Sequence, residues 1–193
     1  MRRFFTLLVL TIMLYDAGAQ NQHLSFKGVP IDGTLKAYTD AMIKAGFHYE
    51  GTYDGVAALS GDFAGHKGCT IGVYTLKNLD VVSFISVLFP DQETWTSLKS
   101  EYETLKSMLT EKYGEPEESK ERFTTYVGDY TNGLVMHALK EEKYEWYTSF
   151  STELGTIKLT ISEGEKYSTG RVVLIYMDKA NAEKVRSAAM DDL

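Results

Sequence analysis

The spacing of apolar positions changes several times along this chain, and each change marks an element. Leu35, Tyr38, Met42 and Ala45 recur at helical spacing across Thr34 to Ala45, and Gly46 supplies a stop. From Phe47 the period falls to two. Phe47, Tyr49, Gly51 and Tyr53 alternate with His48, Glu50 and Thr52, and Asp54-Gly55 signals a hairpin into a second strand over 56–60. Gly61 to Gly68 reads as a turn or small loop, and Cys69 to Leu76 as a third strand. Leu79 to Phe89 is apolar on both faces, which predicts a central strand covered on both sides. Pro90-Asp91 ends it. Asp91 is the expected cap of a helix with Trp95, Leu98, Tyr102, Leu105, Leu109 and Tyr113 on one side and Lys99, Glu103, Lys106 and Glu111 on the other. Gly114 and Pro116 close it.

The second half is read the same way. Arg122 to Val127 predicts a strand. Residues 133–140 fit either period: Leu134, Val135, Ala138 and Leu139 suit a helix, and Leu134, Met136 and Ala138 suit a strand. Tyr144, Trp146, Thr148 and Phe150 share one side of the next strand, Glu153-Leu154-Gly155 turns the chain, and Ile157, Leu159 and Ile161 form an amphipathic strand. Val172 to Met177 is the last strand, and Asp178 caps a final helix through Val185 and Ala188.

An internal repeat decides the ambiguous stretch. Gly51-Thr52-Tyr53-Asp54-Gly55-Val56 through Leu59 parallels Gly128-Asp129-Tyr130-Thr131-Asn132-Gly133-Leu134 through Leu139. Each copy follows an aromatic strand and a helix ending in glycine, which assigns 133–140 to a strand. The expected fold is α+β: an antiparallel sheet from two tandem helix-plus-β-meander units, with helices packed mainly on one face. The units divide at 114, into an extended lead over 20–33, a first unit over 34–114 and a second over 115–193.

The first 19 residues fall outside that fold. Arg2 and Arg3, an apolar run from Phe4 to Leu14, and Ala17-Gly18-Ala19 have the form of a signal peptide cut after Ala19. The run is too short for a comfortable membrane span, and no later segment is apolar enough. The expected location is therefore the periplasm or the exterior. Removal of the signal takes away Arg2, Arg3 and Asp16, leaving 18 basic and 26 acidic residues and a net charge of −8 on 174 residues. Thirteen Tyr, nine Phe and two Trp exclude a disordered chain, and the acidic balance argues against nucleic acid. One cysteine excludes an internal disulfide.

Motifs that would carry chemistry are missing: GxSxG, HExxH, CxxC and GxGxxG do not occur. Gly61-Asp62-Phe63-Ala64-Gly65-His66-Lys67 lacks both the spacing and the Ser/Thr of a phosphate loop. His66 and Cys69 are spaced like two ligands of one metal, but His48, Asp54, Asp62 and His137 are scattered, so neither metal nor cofactor is expected. Cys69 is read as a free thiol, either a small core side chain or, in an exported protein, one that reacts or joins a second chain. Acidic pairs such as Glu117-Glu118 and Glu141-Glu142 fall in turns, where solvation opposes glycosidase-type chemistry. Tyr126, Tyr130, Tyr147 and His66 are the candidates for ligand or partner contact.

Several fragments resemble a group of small, mostly uncharacterised exported proteins of gut Bacteroidota. They are Gly28-Val29-Pro30-Ile31-Asp32-Gly33, Phe63-Ala64-Gly65 before Cys69, Phe89-Pro90 followed by Trp95, Leu98, Lys99 and Tyr102, Lys112-Tyr113-Gly114, and Met190-Asp191-Asp192-Leu193. The resemblance implies no activity, cofactor or catalytic residue. Tandem helix-and-four-strand units also resemble the beta-lactamase inhibitor protein architecture, an analogy of fold alone. The expected function is a non-catalytic exported binding module for a protein, peptide or envelope component. The alternatives are a hydrolase of glycans or peptides with an unrecognised site, and a carrier of a small apolar ligand.

Overall fold

The computed structural model describes residues 23–76 and 79–191; the expected signal peptide and its cut lie outside them. Among the described residues the elements run β1 (Ser25–Phe26), β2 (Val29–Pro30), α1 (Leu35–Lys44), β3 (His48–Tyr53), β4 (Val56–Phe63), β5 (His66–Leu76) and β6 (Leu79–Leu88). There follow α2 (Trp95–Tyr113), β7 (Glu118–Phe123), α3 (Asn132–Lys140), β8 (Tyr144–Thr152), β9 (Gly155–Glu163), β10 (Gly170–Asp178) and α4 (Lys179–Asp191). β1 and β2 form a small hairpin within the lead. The other strands make one antiparallel sheet in the order β3-β4-β5-β6-β10-β9-β8-β7. The chain is α+β.

Each half of the sheet is a run of four strands that ends at the centre, where β6 and β10 pair through Val87↔Leu174 and Ile85↔Tyr176. Register fixes which side chains share a face, because opposed residues in an antiparallel ladder point the same way. One face carries Ala57, Leu59, Cys69, Ile71, Val73, Ile85, Val87, Leu174, Leu159 and Trp146, all buried. α2 lies on this closed face: Tyr102 touches Trp146 edge-on at 6.4 Å and its hydroxyl meets Thr148 Oγ1 at 2.7 Å. α1 delivers Tyr38 and Met42 to the same core, and Phe26 closes the middle against Phe47, Phe63 and Tyr176. β6 is central, as its sequence predicts, but only one of its faces is fully covered: Phe84 and Leu88 are half-buried.

Three expectations need correction. Residues 133–140 are helix α3, not a strand. Val135, Met136, Ala138 and Leu139 are buried, and this helix replaces the hairpin turn between β7 and β8. The repeat at 51–59 and 128–139 is therefore one of sequence order and not of backbone. The strand expected at 122–127 lies earlier, because β7 pairs with β8 from Glu118↔Ser149 to Phe123↔Tyr144. The loop expected over 61–68 is a tight hairpin: β4 runs to Phe63, β5 begins at His66, and Ala64 and Gly65 both adopt left-handed φ.

Asp91 also has another role. Thr94 is the cap of α2, accepting the Ser97 N–H at 3.1 Å. Asp91 instead holds the β9–β10 loop, accepting from Lys166 N at 3.0 Å and Thr169 Oγ1 at 2.7 Å and pairing with Arg171 at 2.9 Å. Asp178 caps α4 as expected, taking the Asn181 N–H at 2.8 Å.

Candidate functional site

Alternation along the strands sends every second residue to the face opposite α2. There β10 places Val173, Ile175 and Met177; β6 places Phe84, Ser86 and Leu88; β5 places Thr70, Gly72 and Tyr74. β9 adds Lys158 and Thr160, β8 adds Tyr147 and Ser149, and β7 adds Glu118 and Lys120. Val173, Ile175, Leu88, Phe84, Tyr74 and Tyr147 are all half-buried, whereas their neighbours one position along each strand are sealed in the core.

The rings on this open face are held flat. Tyr74 and Phe84 stack at 4.1 Å with 12° between their planes. The Tyr74 ring lies over Gly72, where a Cβ would come within 2.7 Å of both the ring and Ser86 Oγ, so only glycine permits the arrangement. Tyr53 covers Gly51 in the same manner at the β3 bulge and is 67% exposed. Tyr147 sits between two cations, with Lys158 Nζ 4.2 Å and Lys120 Nζ 5.8 Å from its ring centre. Lys120 is also paired with Glu118, and the carboxyl of Glu118 is held low by hydrogen bonds from Tyr147 and Lys120. Stacked rings and aliphatic side chains, bordered by Ser149, Thr160 and Thr70, make up this face. They offer no poised acid, base or nucleophile.

The residues singled out from sequence are spread over three places. Tyr147 is on the open face. Tyr126, 84% exposed, and Tyr130 lie in the connection before α3. Tyr130 adopts a left-handed φ and stacks on Trp95 at 5.8 Å, at the edge of a cluster with Phe123 and Trp146. His66 and Cys69 are on the helix side, at the base of the β4–β5 hairpin.

That third place holds a residue missed in the sequence. Glu101 of α2 is only 8% exposed and its Oε1 lies 3.0 Å from His66 Nδ1, in the geometry of an ion pair. Burial pushes the Glu101 carboxyl above its usual range, against the opposing pull of His66 and a hydrogen bond from Gln92. The His66 ring also meets Phe89 edge-on at 5.0 Å. Cys69 is fully buried, and burial, with Glu101 and Asp62 adding to it, pushes its thiol up to about 11 against a hydrogen bond from the Phe63 backbone. A protonated thiol without access to solvent is a core side chain. Among the described residues no three His, Cys, Asp or Glu converge as a metal site.

A cleft of about 450 Å³ between α3 and the β9–β10 loop is lined by Met136, His137, Lys140 and residues 163–169. His137, Glu163 and Glu165 in it are exposed to water, which opposes glycosidase-type use of the carboxylates. Among the described residues no helix is long and apolar enough to cross a membrane. Comparison with protein-family models, curated proteins and solved structures found no significant match for this chain.

Proposed function

We propose that the protein is an exported, non-catalytic binding module whose open sheet face holds a protein, peptide or envelope component. The observation that carries this reading is the half-buried stripe of Leu88, Val173, Ile175, Phe84 and Tyr74, on the reverse of a closed face whose central residues Ile71, Val73, Ile85, Val87, Leu159 and Leu174 are sealed. Contiguous apolar surface on a folded domain marks a contact site more often than an accident of packing. The rings cost little ordering entropy on binding, because glycine contacts and stacking already fix them. Export is supported by Arg2-Arg3, the apolar run to Leu14 and Ala17-Gly18-Ala19.

Two measurements test the reading. Immobilised protein is incubated with envelope extract alongside two variants, Ile175→Asp on the open face and Lys99→Glu on the outer side of α2. The reading expects a component retained by the wild type and Lys99→Glu and lost with Ile175→Asp. Equal recovery on all three, or no recovery on any, overturns it. N-terminal sequencing of the exported protein is expected to begin at Gln20, and recovery of the intact N terminus inside the cell overturns the export reading.

A further inference from the structure

The N-terminal strap over 23–33 is fixed by an arrangement that the binding face does not involve. His23 is nine-tenths buried with a carboxylate at each ring nitrogen: Nδ1 is 3.0 Å from Asp178 Oδ1 and Nε2 is 3.3 Å from Asp32 Oδ2. A carboxylate only accepts, and a neutral imidazole has one nitrogen with no proton to give. Both contacts are favourable only when both nitrogens carry protons. A neutral ring would set a lone pair against a carboxylate oxygen in a buried place.

Other groups facing this point strengthen the tie. Asp178 is fully buried at the junction of β10 and α4 and also takes the Leu24 N–H at 2.7 Å. Asn181 of α4 donates to Ile31 O, Val82 O and Asp32 Oδ1 at 2.9, 2.9 and 3.1 Å. Lys184 of α4 is the other cation at Asp32, 3.9 Å from Oδ1. Burial pushes the Asp32 carboxyl up, but hydrogen bonds from Gly33 and Asn181 and the charges of His23 and Lys184 hold it below its usual range. What the strap covers is apolar: Phe26 is buried against Phe63 at 5.1 Å, Tyr176 at 5.3 Å and Phe47 at 6.0 Å.

We propose that His23 is a proton-held clamp: doubly protonated, it fastens the strap to Asp178 and Asp32, and loss of one ring proton weakens that fastening so that the strap opens more often over the aromatic side chains around Phe26. The device is regulatory, with proton concentration as its effector.

Nitrogen-15 NMR of the imidazole and amide hydrogen exchange, both followed against pH, test the clamp on the same sample. The expected result is both His23 nitrogens protonated while the strap is closed. Exchange at Leu24 and Ile31, corrected for intrinsic rate, should rise about tenfold as the ring proton leaves, the factor that loss of one charge-assisted hydrogen bond carries. Ile85 and Leu174 in the central strands should hold. In His23→Gln the strap amides should exchange fast without a pH step, and in Asp32→Asn the step should move to lower pH. A neutral His23 under a fully protected strap, or the same pH step in His23→Gln, overturns the proposal.

Discussion

The two faces of the sheet use the same strands and differ by one position along each. On the closed face Val73, Ile85, Leu174 and Leu159 are sealed beneath α1 and α2, and one residue away Tyr74, Phe84, Ile175 and Lys158 are half in water. Both faces are rich in aliphatic and aromatic side chains. What separates them is what lies over them: α1 and α2 cover one face. On the closed face a few polar groups lie inside the core: Tyr102 and Thr148 bond there at 2.7 Å, while Tyr38 Oη and Trp146 Nε1 are buried without a partner among the described residues. On the open face Ser149 and Lys158 are half-buried, and the Thr160 hydroxyl donates to Trp146 O at 2.8 Å. Hydrophobicity alone therefore does not distinguish the two faces; the helices laid over one of them do.

The sharpest contrast comes from truncating one aliphatic residue on each face. Leu159→Ala is expected to cost about 3 kcal/mol in denaturant unfolding, because it leaves a cavity under α2. Ile175→Ala, half exposed, is expected to cost about 1 kcal/mol or less. Equal losses would break the distinction between the faces.

A second contrast sets two carboxylates against each other. Asp91 is held below its usual range: burial raises it, but the Lys166 N–H, the Thr169 hydroxyl and Arg171 outweigh that. Its contribution is fully present above the unfolded value and is lost as pH falls through the lowered folded value. Asp91→Asn should cost about 2 kcal/mol near neutrality, with the difference closing in acid. Glu101 has the opposite sign. Its folded value is raised by burial, so the charged form opposes folding above that value and the penalty fades as pH falls through it. Glu101→Gln should match the wild type or exceed it by about 1 kcal/mol at neutral pH, and the wild type should regain ground in acid. Stability curves against pH that run parallel for both variants would contradict these assignments.

The smallest effect belongs to Tyr147. Its ring rests on Lys158 and Lys120 in a wet setting, so Tyr147→Ala should change stability by about 0.5 kcal/mol, near the floor for exposed cation–π contacts. A loss comparable to that of Leu159→Ala would make Tyr147 a core residue after all.

Much of the architecture was legible in the sequence where a period ran long enough. The stripe from Trp95 to Leu109 and the alternation of Ile157, Leu159 and Ile161 each left one reading. Residues 133–140 show the limit: the helical spacing of Leu134, Val135, Ala138 and Leu139 was present, and a weak repeat overrode it. Asp91 fits a cap as well as a loop clamp, since its partners Thr169 and Arg171 lie far along the chain. Glu101 carried a signal that went unused, a charged residue beside Tyr102 within an apolar stripe at 98, 102 and 105. The open face was visible only in part. Tyr147 could be assigned opposite Trp146 by alternation, but Tyr74 and Phe84 meet only through the β5–β6 register, which no local pattern specifies.

The central claim is that the open face is the working surface and the closed face is structure. Methyl-resolved NMR of protein labelled at Ile, Leu and Val, titrated with fractionated envelope extract, reads both faces at once. The expected result is shift or broadening at Leu88, Val173 and Ile175 while Leu159, Leu174 and Val73 stay unchanged. Perturbation confined to the closed-face methyls, or none at either set, would contradict it.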